Sequence, residues 1–300
     1  MKATPEILVL VMVCGLALTG ARAADIDQQR PASPDARVTV LVPRGEVAIR
    51  GWDRPVLAVS GELTGDALRI ELSGPQDRPH LEVIHRDPDE LDGDAELEIM
   101  VPERCRLNVT TVDADIWIDG CRDAVMVTSI TGELRLDGEP RSVMVDQVSG
   151  DVFLDVPADS VMVSCVDGDI NVSQARQSVR CLTYAGDVTV MAGPELARLH
   201  VESLAGDALV SGGLTADTNW SISLQDGDAL LAVDDDPDAQ IRLTTMVGDV
   251  VCRLAGMEDR KKTRAGTVKT VRFRVGRGRG SVAVDVLSGD VVVKGRRGQN

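Results

Sequence analysis

The sequence predicts an all-β protein: a right-handed parallel β-solenoid (β-helix) of about 18–21 residues per coil, with irregular capping coils at its N-terminal end. Three observations carry that expectation. Apolar residues recur at every second position, the strand period, and no segment sustains a helical one. A phrase of Gly, an acid and alternating apolar residues returns at a nearly constant interval, as at 148–154, 166–172 and 184–190. Aromatic residues make up only 2% of the 300, and thin stacked folds fill their cores with Val, Leu and Ile instead.

The chain opens like a secretory signal peptide at residues 1–23: Lys2, an uncharged apolar stretch over 7–20, then small residues at Ala21 and Ala23. Cleavage is expected after Ala23. Cys14 follows Val13, where a lipoprotein signal carries Gly or Ala, so a soluble exported chain is preferred to a lipid-anchored one. No later segment approaches the ~20 apolar residues of a membrane helix, so no transmembrane segment is expected in the mature chain. Its expected location is periplasmic, or secreted to the cell envelope. Removing the signal leaves 30 Lys/Arg against 47 Asp/Glu, a net charge of −17 that argues against nucleic acid as a partner. Residues 260–300 run the other way, with twelve Lys/Arg against Asp285 and Asp290. A solvated basic end is the plain reading; head-to-tail contact or anchoring on an anionic envelope is the alternative.

A polar lead over 24–36 precedes the first alternation, at 37–42. Residues 37–104 carry the turn-then-strand phrase at irregular spacing, at Gly45, Gly65 and Gly93, with a Pro- and acid-rich loop over 75–93, and read as a cap. The regular repeats are expected over 105–295, ahead of a basic tail at 296–300. With the Gly of each Gly-acid pair as anchor, Ala114 (a degenerate member), Gly132, Gly150, Gly168 and Gly186 fall 18 apart. Gly206, Gly227 and Gly248 follow at 20, 21 and 21, Gly266 at 18 and Gly289 at 23. Apolar residues stand seven and five positions before the anchor, as Val143 and Val145 do, and two and four after it, as Val152 and Leu154 do. Each repeat is therefore two short strands about a Gly corner. Consecutive repeats must stack in parallel to bury their inner faces, with strands about 4.8 Å apart. Parallel crossovers are right-handed.

The extra residues of the longer repeats, 192–195, 212–217 and 234–238, fall between the second strand of one coil and the first of the next, hence along one edge. Insertions gathered on one face of a repeat protein are the first place to look for binding. The run Asp94-Ala95-Glu96-Leu97-Glu98-Ile99-Met100-Val101-Pro102, the serial Gly-Asp-Val phrases, and Val286-Leu287-Ser288-Gly289-Asp290-Val291 resemble the bacterial β-strand-repeat adhesin-like family, over residues 37–295. The resemblance implies an exported or envelope-associated β-solenoid from a family of unknown function. It implies no catalytic residue.

Candidate chemistry centres on the corner acids. Stacking puts Glu133, Asp151, Asp169, Asp187, Asp207, Asp228 and Asp249 in one column, where neighbouring carboxylates repel by about 1 kcal/mol in bulk water. Acceptance of backbone N–H groups within each Asp's own turn would offset that. Ca²⁺ binding is the alternative, with Asp113/Asp115, Asp167/Asp169 and Asp226/Asp228 as the pairs to ligate it. The calcium β-roll nonapeptide is itself absent, and no other cofactor is expected. The five mature cysteines, Cys105, Cys121, Cys165, Cys181 and Cys252, fall on inward positions. Cys105/Cys121 and Cys165/Cys181 sit two residues out of register on adjacent coils, about 8 Å apart at Cα, so buried free thiols are preferred to two disulfides. His80, His85 and His200 are scattered, and no serine-hydrolase elbow, His-Glu-x-x-His or phosphate loop is present. No catalytic residue is assigned. The function expected is a non-enzymatic exported scaffold that binds an envelope or cell-surface protein or polysaccharide. A carbohydrate-active β-helix and a Ca²⁺-stabilised structural rod are the alternatives.

Overall fold

The computed structural model describes residues 24–64, 68–85 and 93–296. The expected signal segment with Cys14, residues 65–67 and 86–92, and residues 297–300 of the expected tail lie outside the described residues. The described residues form 25 strands, no helix, and one mostly parallel sheet. The first six strands are β1 (Ala24–Pro31), β2 (Arg37–Trp52), β3 (Val56–Leu63), β4 (Leu68–Ser73), β5 (His80–His85) and β6 (Ala95–Pro102). The regular region holds β7 (Arg106–Asp119), β8 (Ala124–Ser129), β9 (Leu134–Asp137), β10 (Ser142–Ser149), β11 (Val152–Asp155), β12 (Ser160–Asp167) and β13 (Ile170–Ser173). It continues through β14 (Ser178–Ala185), β15 (Val188–Met191), β16 (Arg198–Ala205), β17 (Ala208–Gly212), β18 (Asn219–Asp226) and β19 (Ala229–Val233). The last six are β20 (Ala239–Val247), β21 (Val250–Arg253), β22 (Glu258–Ala265), β23 (Val268–Val275), β24 (Gly280–Ser288) and β25 (Val291–Gly295).

Each regular coil enters on a longer strand, turns at its Gly corner and leaves on a shorter one. The longer strands β8, β10, β12, β14, β16 and β18 pair in parallel in that order. The shorter strands β9, β11, β13, β15, β17 and β19 do the same. Val125, Val143, Val161, Val179, Leu199 and Trp220 thereby come into register as one buried row. A third inward row, three residues before the corner, escaped the apolar pattern because it is largely polar: Thr111, Ser129, Gln147, Thr183 and Ser203 are buried there. Some of its side chains reach corner carbonyls and others bond beside the corner. Gln147 Nε2 donates to the Gly132 carbonyl (2.6 Å), Thr245 Oγ1 to that of Gly289 (2.8 Å), and Thr111 Oγ1 to Ser129 Oγ (2.8 Å).

Stacking order departs from chain order at both ends, against the expectation of consecutive coils. The last coil, β24 and β25, lies between the coil of β18 and β19 and that of β20 and β21. The displaced coil is closed by an antiparallel hairpin, β23 on β20 and β22 on β23. Gly266, which keeps the 18-residue beat, belongs to the turn of that hairpin and not to a corner; a Cβ there would meet nothing within 4 Å. At the other end β2 lies between β7 and the strands β5 and β6, with β1, β3 and β4 adding antiparallel strands outside them. The register sets Ala95, not Gly93, against Gly45 at the corner.

The physical reason is the open end, since a parallel stack leaves unpaired strand edge and uncovered core at each terminus. β23 covers the core with Val271, Phe273 and Val275, all buried. β22 is exposed along its whole length, and its Arg260, Lys261, Lys262 and Arg264 blunt the last edge with charge.

Ala95 and Ala114 stand at two N-terminal corners, but the corners of the regular coils leave no room for a side chain. Gly150, Gly168, Gly186 and Gly206 have φ between +116° and +145°. A Cβ on any of them would stand 2.2 Å from the carbonyl oxygen of the corner glycine one coil earlier. Gly168→Ala is therefore expected to destabilise by roughly 2–5 kcal/mol, backbone strain and overpacking combined, as read by urea denaturation. Gly256, at φ +70° with nothing within 4 Å of its Cβ position, is the control for strain without the clash. Its replacement by Ala should cost about 1 kcal/mol.

Candidate functional site

The corner acids form a hydrogen-bonded ladder between coils. One carboxylate oxygen of Asp151 accepts the backbone N–H of Asp169 (2.9 Å), Asp169 that of Asp187 (2.8 Å), and Asp187 that of Asp207 (2.8 Å). Asp207 accepts from Asp228, and Asp115 from Glu133, each at 2.7 Å. The ladder then follows space instead of sequence: Asp228 accepts from Asp290, and Asp290 from Asp249, again at 2.7 Å. The bond expected within each Asp's own turn is made one coil away, and a donor N–H between successive carboxylates offsets their repulsion. Asp249 ends the column. Lys269 Nζ, from β23, bonds both its carboxylate (2.5 Å) and the Gly248 carbonyl (2.6 Å). That hydrogen bond and the ammonium charge hold the Asp249 carboxyl below the usual carboxylate range.

The predicted cation pairs flank the corners, with Asp113, Asp167 and Asp226 one residue before and Asp115, Asp169 and Asp228 one after. Asp113 meets Arg44 at 3.6 Å and accepts from Thr131 Oγ1 at 3.0 Å. Asp115, Asp169 and Asp228 are ladder acceptors. Among the described residues no three His, Cys, Asp or Glu side chains converge as metal ligands. All five described cysteines are free, and only Cys252 is partly exposed. Burial pushes the Cys121 and Cys181 thiols up to about 12; at Cys105 burial, and then the neighbouring Cys121, act in the same direction. Thiols held protonated in this way are poor nucleophiles. Along the inserted edge, Asp238, its side chain 15% exposed, accepts from Arg279 Nε (2.6 Å) and Asp234 lies 3.7 Å from Arg296. These pairs clamp the last coil to the stack.

The shorter strands present their outward face as a groove. Three residues after each corner, Ala48, Trp117, Arg135, Phe153, Asn171 and Thr189 come into register as one outward row. Two residues further on, Asp137, Asp155, Ser173 and Met191 form the next, with Arg50 and Asp119 paired at its start. Four hollows run head to tail along these rows. The first and second, about 430 and 410 Å³, share Arg50 and Trp117. The second and third, the latter about 280 Å³, share Arg135 and Asp137. The third and fourth, the latter about 820 Å³, share Asp155, Ser173 and Met191, and the fourth ends against the insertion at 192–195.

Trp117 is 37% exposed and Phe153 half-buried. The Arg135 guanidinium lies 5.3 Å from the Phe153 ring centre and donates to Glu133 at 2.9 Å. Asp155 accepts from Ser173 Oγ (2.5 Å) and Gln174 Nε2 (2.6 Å). The sequence holds this row only as a shared offset of three from the corner, visible when outward positions are aligned as the inward ones were. At the ends of the longer strands a separate outward row, two residues before the corners, is apolar: Ile130, Val148, Val166, Tyr184, Leu204 and Leu287 are between 38% and 60% exposed.

Corner, ladders and groove together define an all-β repeat protein with a row of shallow hollows along one sheet face. Residues 93–294 match the Toastrack family, DUF4097, and the chain belongs to that family, which bears out the resemblance carried by its corner phrases. Among solved structures, a candidate cell adhesion protein from Clostridium sporogenes is 8% identical with a TM-score of 0.27, over 91% of this chain and 100% of that one. A candidate adhesin from Bacteroides fragilis is 13% identical with a TM-score of 0.39, over 63% of this chain and 96% of that one. No curated protein matches significantly.

Because the Asp249 carboxyl titrates low, its pairing with Lys269 stabilises the cap above the ordinary carboxylate pKa and is lost as pH falls through the lowered value. Lys269→Met should return Asp249 to the ordinary carboxylate range and remove that part of the acid dependence. A carbon NMR titration of the carboxyl, with melting measured between about pH 2 and 7, reads both effects.

Proposed function

We propose that the chain is an exported, non-enzymatic scaffold, a right-handed β-solenoid, that acts in an adhesin-like way by holding an envelope or cell-surface macromolecule along its groove. The observation that carries this reading is the continuity of the four hollows, each sharing side chains with the next. Compact ligands sit in single enclosed pockets; a shallow strip across successive coils suits an extended one. Its floor is a paired sheet whose register is locked at every corner, so binding would cost little ordering of the protein. The solenoid's hand rests on the near-universal right-handedness of parallel crossovers. Export rests on the signal pattern of residues 1–23. The non-enzymatic part is supported by the groove's own side chains, for Asp155 and Arg135 are held by neighbours, Ser173 and Gln174 for the one and Glu133 for the other, and their contacts suit binding more than a reactive role.

Cell fractionation should recover a chain that begins after Ala23 and lies outside the cytoplasm; a cytoplasmic pool that retains residues 1–23 would end the exported reading. The purified mature chain should sediment with envelope or cell-surface preparations. Thr189→Arg, which places a long cation on the groove floor, should weaken that association by about tenfold, or 1.4 kcal/mol, with an unchanged melting temperature. Undiminished sedimentation by the folded variant would take binding away from the groove.

A further inference from the structure

The geometry points to an uncharged β-linked polysaccharide as the groove's occupant, lying along the stacking axis with sugar rings against Trp117 and Phe153 and hydroxyls on the flanking carboxylates. The inference rests on the groove being the binding surface and names what fits it.

The aromatic pair comes first. Trp117 and Phe153 share one outward row, with Arg135 on the strand between them, so the two rings stand two strand spacings apart, about 10 Å. That is the span of about two pyranose rings in an extended β-linked chain. The period of the sheet and the period of such a polymer are therefore commensurate along the groove. The apolar face of a pyranose ring is a natural partner for an exposed aromatic ring, and Trp117 borders both of the first two hollows.

The polar groups come second. On one side of the row lie Asp119, Asp137 and Asp155, and on the other Asp115, Glu133 and Asp151. A carboxylate accepts strongly from hydroxyls and has about four lone-pair sites, so Asp115, Asp151, Asp155 and Glu133 can take a sugar hydroxyl beside the bonds they already accept, and Asn171 and Ser173 line the third hollow as well. Arg50, Arg135 and Arg176 also line the hollows, but acidic residues outnumber them, and the net negative charge disfavours nucleic acid, uronate chains and phosphorylated surfaces.

The sheet's connectivity comes third. β9, β11 and β13 are hydrogen-bonded on both sides, so the groove has no free strand edge on which a peptide could add. A bound peptide would have to find its backbone partners among side chains. A chain whose hydrogen-bonding groups are all peripheral hydroxyls has no such need.

The test uses the full mature chain with cellohexaose, xylohexaose and chitohexaose, an oligogalacturonate as the anionic probe, and oligolysine as the cationic one. At least one neutral oligosaccharide should bind, with little dependence on salt, and the oligogalacturonate should not. Trp117→Ala should weaken that binding about tenfold or more, Trp117→Phe should restore most of it, and both variants should melt like the parent because the ring faces outward. A folded Trp117→Ala protein that binds the oligosaccharide at parental affinity overturns the site. If none of the three neutral oligosaccharides binds, while the protein still sediments with envelope preparations in a Thr189-dependent way, the glycan is overturned and the groove reading survives. Salt-sensitive binding of oligolysine alone would make the occupant a cationic peptide and overturn the proposal in that form.

Discussion

The carbonyl oxygen of each corner glycine occupies the volume in which a side chain on the next coil's corner would have to sit. This contact, repeated from Gly132 to Gly206 and on through Gly227, Gly289 and Gly248, sets how closely coils approach and which residues face one another. A one-residue slip would drive a side chain into backbone and would turn every inward row outward. With register locked there, each offset from the corner becomes a straight line of side chains. The apolar rows, the largely polar row beside the corner, the Asp ladder and the groove are four such lines.

The Asp ladder has a direction, since from Asp151 to Asp290 each aspartate accepts from the coil beyond it, while Glu133 turns to Arg135 instead. At the far end one carboxylate is left over, and the cap supplies Lys269 in place of another backbone N–H. β23 thus covers core and neutralises charge with the same strand, through Val271 and Phe273 on one hand and Lys269 on the other. The strongly basic character of residues 260–300 acquires a structural reading here: part of it, Lys269, Arg274 and Arg279, is spent in ion pairs that hold the cap and the last coil in place.

Much of this could be read from the sequence where a position has only one acceptable chemistry. Corner glycines and inward valines are of that kind, and Val143, Val145, Val152 and Leu154 are all buried as the pattern required. Stacking order is different, because a local period does not say which coil lies on which. Gly266 keeps time perfectly well as the turn of a hairpin, and the irregular Gly93 phrase makes its corner at Ala95. The groove was illegible for another reason. Outward positions admit almost any residue, so Trp117, Arg135 and Phe153 look scattered until the sheet sets them in one row. Ala192 and its neighbours, chosen as part of an inserted edge, do border the groove's last hollow, while Asp234 and Asp238 on the same edge are engaged with the terminal coil.

The intercalated coil of β24 and β25 gives the molecule an order of assembly. In the middle of the stack the ladder bonds join residues 18 to 21 apart, whereas Asp228 reaches Asp290 across 62 positions and Asp290 reaches Asp249 across 41. Nearby coils can dock as soon as they are made, and the hairpin of β22 and β23 pairs locally with β20, but the last coil must close a longer loop before its ladder bonds form. Until residues 280–295 arrive, β20 and β21 have no parallel neighbour and the edges of β18 and β19 stay open. The slot takes one particular segment, so this end of the stack is completed by the residues that are made last.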